Sequence, residues 1–205
     1  MTSSSDRGRA ALANEAARII CETGLKDYRL AKSKAAEHLP ADAMSGMPRN
    51  SEVRDAVLAY QQVFGGEAFE RALADLRRKA IRVMRWLAEF RPRLVGGVYS
   101  GAIGLEPREY DIQLHVFADA VEELDIQFLN QGIPFDTGAV RLQVRRGVFE
   151  ERPVCEFEFE GTRVTATVFP ERGGRQPPIS SVDDQPIRRA SIKDIEALLA
   201  DGSPA

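Results

Sequence analysis

The residues best suited to chemistry are a glycine turn and the polar half of an alternating strand. Gly96 and Gly97 follow an apolar stretch, and Ser100 and Gly101 come soon after. Glycines permit a tight turn, and backbone N–H groups at a following helix start suit a bulky anion such as phosphate. The next strand is expected to present Glu109, Asp111, Gln113 and His115 on one face. Tyr110, Ile112, Leu114 and Val116 then fall on the other face, toward the core. A polar, partly ionisable face beside a glycine turn is where magnesium and a triphosphate can meet.

On these residues, Leu94 to Asp119 resembles the nucleotidyltransferase superfamily of the DNA polymerase β type. Gly96, Gly97 and Gly101 match its turn, and Asp111 matches the first carboxylate of its Asp-x-Asp strand. The resemblance implies the phosphates of a nucleoside triphosphate on Gly96, Gly97 and Ser100, magnesium on Asp111, and attack by an acceptor hydroxyl on the α-phosphorus. Glu109, on the same expected strand face, is the other candidate ligand. The departure is Gln113, which stands where the second carboxylate belongs. Two-metal transfer needs ions about 3.5–4 Å apart, held by shared negative oxygens, and a neutral amide cannot bridge them. The strand "RVTATVF" has Thr165 and Thr167 on its polar face and no third carboxylate. Glu156, Glu158 and Glu160 alternate on the strand before it, as a solvated face does. A wider resemblance, through "GLKDYRLAKSKAAEHL", "MPRNSEVRDAVLAYQQVF" and "RQPPISSVDDQPIRR", is to a proteobacterial family of similar length with a nucleotidyltransferase-like core.

Several elements must position these residues. Residues 1–8 are polar and expected to be disordered, followed by helices over about Arg9–Thr23, Asp27–Leu39 and Asn50–Phe64. Gly24 and Pro40 are placed to end the first two, and Asn50 or Ser51 to cap the third. The loop "ADAMSGMPRN" separates the second and third. In the fourth helix, Phe69, Leu73, Leu76, Ala80, Val83 and Leu87 repeat at three-and-four spacing, with Arg71, Arg78, Arg82 and Arg85 on another face. "RLVGGVY", "YDIQLHVF", "VRLQVRRGVF", "PVCEFEFEG" and "TRVTATVFP" are expected strands, with a helix over "AVEELDIQFLNQG". An irregular Gly/Pro/Ser segment covers 171–187, and a last helix begins near Ser191 with Asp194 in the capping-box position.

The expected fold is α+β: a helical bundle over 9–92, then a small mixed sheet of nucleotidyltransferase type with a crossover helix over 93–170, then 171–205 as an irregular tail with a short helix. Residues 1–95 carry seventeen Lys+Arg against twelve Asp+Glu, and the remainder eleven against nineteen, so +5 and −8 sum to the net −3. Neither half is basic enough to imply nucleic acid by charge alone. Two distant cysteines and two histidines leave no disulfide framework and no histidine-rich metal site, and fit a reducing compartment. With no signal-peptide pattern and no long apolar run, a cytoplasmic protein without a membrane partner is expected.

The leading expectation is a nucleotidyltransferase-like protein with an incomplete metal site, nucleotide-binding or catalytically degenerate. An active magnesium-dependent transferase is one alternative. Another is a helix-turn-helix module reading nucleic acid through Arg29, Lys32 and Lys34, or a scaffold for a protein partner. His115 reads as a strand residue with a satisfied hydrogen bond, Cys155 as an inert thiol, and Trp86 and Phe90 as packing between the two regions.

Overall fold

The computed structural model describes residues 4–39, 46–171 and 176–201. Contacts divide them into two compact units, one of 1–72, 101–107 and 181–183, the other of 73–100, 108–180 and 184–205. The chain is α+β, with seven α-helices and a five-stranded mixed sheet among the described residues.

The first unit is helical. It holds α1 (Ser4–Thr23), α2 (Tyr28–His38), α3 (Asn50–Phe64) and the start of α4 (Gly66–Trp86). Leu12, Ala16 and Ile20 of α1, Ala31 and Ala35 of α2, and Val53 and Val57 of α3 form its core. Each large apolar side chain buried this way contributes about 1.5–3 kcal/mol. Disorder was expected through residue 8, but α1 begins at Ser4. The Arg9 guanidinium links its first turn to Asp6 and to Glu52 of α3. Gly24 ends α1 with φ +68°, its N–H bonding Ile20 O at 3.1 Å. Asp27 caps α2 by accepting from the N–H groups of Arg29 and Leu30. At α3 the cap residue is Arg49, one before the expected Asn50 or Ser51, and Glu52 accepts from its N–H at 2.7 Å. Pro40, the expected stop of α2, and the start of the expected loop over 41–50 lie outside the described residues.

The second unit carries the rest of α4, then β1 (Arg93–Val95), α5 (Gly96–Ser100), β2 (Ile112–Phe117) and α6 (Glu122–Gln131). β3 (Phe135–Arg145), β4 (Val148–Phe159), β5 (Thr162–Phe169) and α7 (Ile192–Asp201) complete it. The strand order is β1-β2-β5-β4-β3, with β2 and β5 parallel and every other neighbouring pair antiparallel. One sheet face is apolar: Ile112, Leu114, Val164, Ala166 and Phe157 pack with Leu76, Ala80, Val83 and Leu87 of α4, Phe128 of α6 and Ile195 of α7. The boundary expected near residue 92 therefore does not divide the contacts, because the later turns of α4 belong to the core of the sheet.

Two expected strands are different elements. "RLVGGVY" stops as a strand at Val95, because Gly96, at φ +75°, turns the chain into α5. "VRLQVRRGVF" is a hairpin tip rather than one strand: Arg146 and Gly147 join β3 to β4, with Gly147 at φ +76°. The turn from β4 to β5 uses Glu160 at φ +49° and Gly161 at φ +71°. Two positive φ values match the right-handed twist of the flanking strands. The capping box at α7 forms as expected, Asp194 accepting from the Ser191 N–H and hydroxyl, each at 2.7 Å.

Candidate functional site

β1 ends at the turn and β2 begins beside it, so the antiparallel register sets Val95 opposite Gln113. On the other side of β2, the parallel register sets Thr165 of β5 opposite Gln113 and Thr167 opposite His115. Glu156 of β4 faces Thr165, and Asp136 of β3 faces Glu156. Gln113, Thr165, Glu156 and Asp136 thus form one row across the polar face, with strands about 4.8 Å apart.

Gly96 opens α5 at a positive φ, and the space a Cβ would take is already filled. The Oε1 of Gln113 lies 2.2 Å from that position. Glycine is favoured here by the positive φ of the turn, whereas Oε1 is the far end of a flexible, exposed side chain that can move aside. Gly97 is half-buried in the same short helix, and the Ser100 hydroxyl donates to Gly97 O at 3.4 Å. Gly101 follows at φ +81° and belongs by its contacts to the first unit. Asp111 is half-buried one residue before β2. Gly96, Gly97, Ser100, Asp111 and Gln113 therefore share the second unit, and Gly96 and Gln113 touch.

Glu109 is the correction. It was expected to share a strand face with Asp111, but it lies exposed in a 3₁₀ turn, Pro107–Glu109. Proline fixes φ and lacks an N–H, which favours a turn start and delays the strand to Ile112. The residues do not fit a two-metal centre: a neutral amide and a threonine hydroxyl occupy the row beside Asp111. Among the described residues no group of three or more His, Cys, Asp or Glu could hold a metal ion.

His115 is 4% exposed, and its Nδ1 accepts from Arg189 Nε at 2.9 Å. Burial first, then the charge of Arg189, push its pKa down to about 3. Its ring is neutral with Nδ1 bare, a hydrogen-bonded strand residue. Cys155 is buried, donates to Asp125 Oδ1 at 3.6 Å, and has its thiol pushed up to about 12 by burial and by Asp125. It is no nucleophile. The arginine face of α4 is used internally: Arg82 pairs with Glu160, Arg85 with Glu196 at 2.9 Å, and Arg78 with Asp75 at 2.7 Å. Trp86 stacks on Phe128 inside the second unit, with centroids 5.5 Å apart. In the first unit Lys32, assigned to nucleic acid in one expectation, donates to Pro48 O at 3.1 Å.

Two residues that position the site had no sequence signal. Arg77 of α4 donates from Nε to Val98 O at 3.1 Å and from Nη2 to Tyr99 O at 3.2 Å, holding the C-terminal end of α5. Arg189 comes from the segment before α7. A depression of about 280 Å³ on the polar face is lined by Pro134, Asp136, Glu156, Glu158 and Arg163, on strands beyond the turn. No helix among the described residues is long and apolar enough to cross a membrane. No family model, curated protein or solved structure matches this chain.

Proposed function

We propose that the chain is a nucleotidyltransferase-like protein that binds a nucleoside triphosphate at the β1–α5 turn and has lost two-metal transfer. The observation that carries this reading is the row Gln113–Thr165 beside Asp111. In the transferase superfamily that this stretch resembles, the same strands carry the second and third carboxylates. Here both positions are neutral, so the shared negative oxygens that hold two divalent ions are missing. The sheet order, with β2 between an antiparallel β1 and a parallel β5, supports the comparison. Asp111, with the ligand's own phosphates, is the residue left to hold a single magnesium ion.

Calorimetric titration of ATP, GTP, CTP and UTP, with and without magnesium, tests this on wild type and Asp111→Asn. Magnesium-dependent binding that is lost in the variant, without pyrophosphate release, is the expected result. Magnesium-dependent pyrophosphate release abolished in Asp111→Asn would instead make the protein an active transferase. Absence of binding by all four nucleotides would sink both readings and leave the fold as a scaffold for a protein partner.

A further inference from the structure

β3 is an edge strand: β4 pairs with one side of it, and among the described residues no strand pairs with the other. Near its end, Gln143 O accepts from the Ile179 N–H at 2.7 Å, so the peptide groups of Gln143 point away from β4. Direction alternates along a strand, so those of Phe135, Thr137, Ala139 and Arg141 point outward too. The tight turn at Glu160 and Gly161 requires the same alternation, because it bonds Phe159 to Thr162 and leaves the even residues of β4 to bond β3. Among the described residues nothing bonds the outward row from Phe135 to Arg141. Pro134 has no N–H and Gln143 is taken by Ile179, so the open row is bounded at both ends and centred on Gly138. Open edges are normally guarded by lysine, proline or a covering segment. Here Thr137, Gly138 and Ala139 are exposed, and no lysine or proline stands between Phe135 and Gln143.

We propose that this edge is the interface of a homodimer, in which β3 pairs antiparallel with β3 of a second copy about a two-fold axis at Gly138. Such an axis runs perpendicular to the sheet and keeps its faces matched. Centring on Gly138 sets Thr137 opposite Ala139 and Phe135 opposite Arg141, so every outward N–H and C=O of the row is paired. A centre at Ala139 would bring Phe135 against Gln143, already held by Ile179; one at Thr137 would bring Arg141 against Ile133, outside the strand. The side chains agree with this register. Phe135 and Arg141 lie equally far from Gly138 on the face that packs α6, so each ring meets a guanidinium of the other copy. Arg141 already lies 4.8 Å from the Phe149 ring, which is 49% exposed on the same face. Leu129, 69% exposed, is on the flank of α6 turned away from α4. Gln127 on the opposite flank donates to Trp86 O, whereas Asp125, one turn before Leu129, accepts from Cys155 of β4. A ladder of about 24 Å with these apolar side chains is at the small end of stable interfaces, which need about 800 Å² per partner, so the dimer dissociates on dilution. The interface uses none of the residues of the glycine turn and stands or falls apart from the nucleotide reading.

The test is sedimentation of the full chain over a concentration series up to about 200 μM. A reversible shift from the 22.7 kDa of one chain to twice that mass is expected. Thr137→Pro removes an outward N–H without touching the β3–β4 ladder, and should weaken the dimer at least about tenfold. Arg141→Ala should weaken it about fivefold through the lost ring contacts. Opposed Gly138 residues form a non-hydrogen-bonded pair with Cα atoms about 4.5 Å apart, within disulfide range. Gly138→Cys is therefore expected to give a disulfide-linked dimer on mild oxidation. Its Cβ meets nothing within 4 Å in the single chain, and the native Cys21 and Cys155 are buried. Val63→Cys, 72% exposed on α3, should stay unlinked. A single 22.7 kDa species at every concentration would overturn the proposal and leave the edge to a strand of another protein. A dimer unweakened in folded Thr137→Pro, or Gly138→Cys linking no better than Val63→Cys, would overturn it too, by placing the contact on another face.

Discussion

Gly96 and Gln113 meet at the level of single atoms, and the cost of filling that space can be measured. A Cβ at Gly96 would meet Gln113 Oε1 at 2.2 Å in a backbone held at φ +75°. Oε1 ends a flexible, exposed side chain that can swing aside, so the strain of the left-handed backbone decides the outcome. Gly96→Ala is expected to cost about 1–2 kcal/mol. Gln113→Ala alone should stay within about 0.5 kcal/mol of wild type. The double variant should cost the sum of the two to within about 0.5 kcal/mol, because rotation of Gln113 already relieves the overlap. Denaturant unfolding of the four proteins checks this, and a double variant more stable than Gly96→Ala by over about 1 kcal/mol would show that Gln113 is held in place over the glycine. His115 gives a second prediction, in pH. Its folded pKa is about 3 against an ordinary 6.5, so the unfolded chain binds the proton more readily between those values. Stability is therefore full above pH 6.5 and falls as the pH drops toward 3, by about 2 kcal/mol at pH 5. Glu15, lowered to about 2 chiefly by its bond to Arg18, loses its contribution only below its ordinary 4.5, a lower window. His115→Gln should flatten the melting-temperature profile between pH 6.5 and 5; an unaltered slope there would assign the loss to other groups. Residue types alone were enough to locate the turn, Asp111 and the neutral Gln113. They could not place Gln113 over Gly96, because that contact depends on the Val95–Gln113 register, and register is set by the whole sheet.

Among elements, the helices with a wide apolar stripe were legible and the short pieces were not. In α4, Leu73, Leu76, Ala80, Val83 and Leu87 are all buried at the spacing the sequence displays. α5 has five residues and cannot show a period, so its residues were assigned to a strand. Its stability must come from outside, and Arg77 supplies it by donating to Val98 O and Tyr99 O. Charge-assisted bonds at the carbonyl end of a helix also oppose the helix dipole. Arg77→Ala is expected to destabilise the protein by about 1–3 kcal/mol. It should also speed amide hydrogen exchange in α5 well beyond that in α6, whose packing on Phe128 is untouched. Exchange that rises equally in both helices would mean that Arg77 supports the whole sheet rather than the turn. At α7 the bonds between Ser191 and Asp194 make Ser191→Ala cost about 1 kcal/mol, measured by thermal unfolding. This cap was legible because its partners sit three residues apart, whereas Arg77 and Val98 are joined only by the fold.

For the molecule as a whole, the chain order and the contact order differ. The helical unit of α1, α2 and α3 takes in 101–107 and 181–183 as well. Buried Gln61 donates to Ile103 O, and Leu105 N–H donates to Cys21 O at 2.9 Å. Ala102 and Leu105 pack on the same core as Leu12, Val53 and Val57. Arg54 pairs with Asp183 at 2.7 Å, and Asn50 Nδ2 donates to Ser181 O at 2.8 Å. None of this is visible from amphipathic period, which identifies helices but not the distant segments that close their core. A fragment of 1–72 would contain every helix of the bundle up to the start of α4, yet lack all five of those contacts. Gln61 would be left as a polar group without its carbonyl, and the site of Leu105 would open to water. Together these losses are on the order of 3–5 kcal/mol, a large part of the stability of a small domain. The fragment is therefore expected to keep helical circular dichroism but to melt broadly and at lower temperature than the same helices in the full chain. Joining 101–107 to it through a flexible linker should restore much of the cooperativity, since the segment regains Cys21 O, Gln61 and the apolar core at high effective concentration. A fragment of 1–72 that melts as sharply and as high as those helices in the intact protein would show that the inserted segments rest on the bundle without stabilising it.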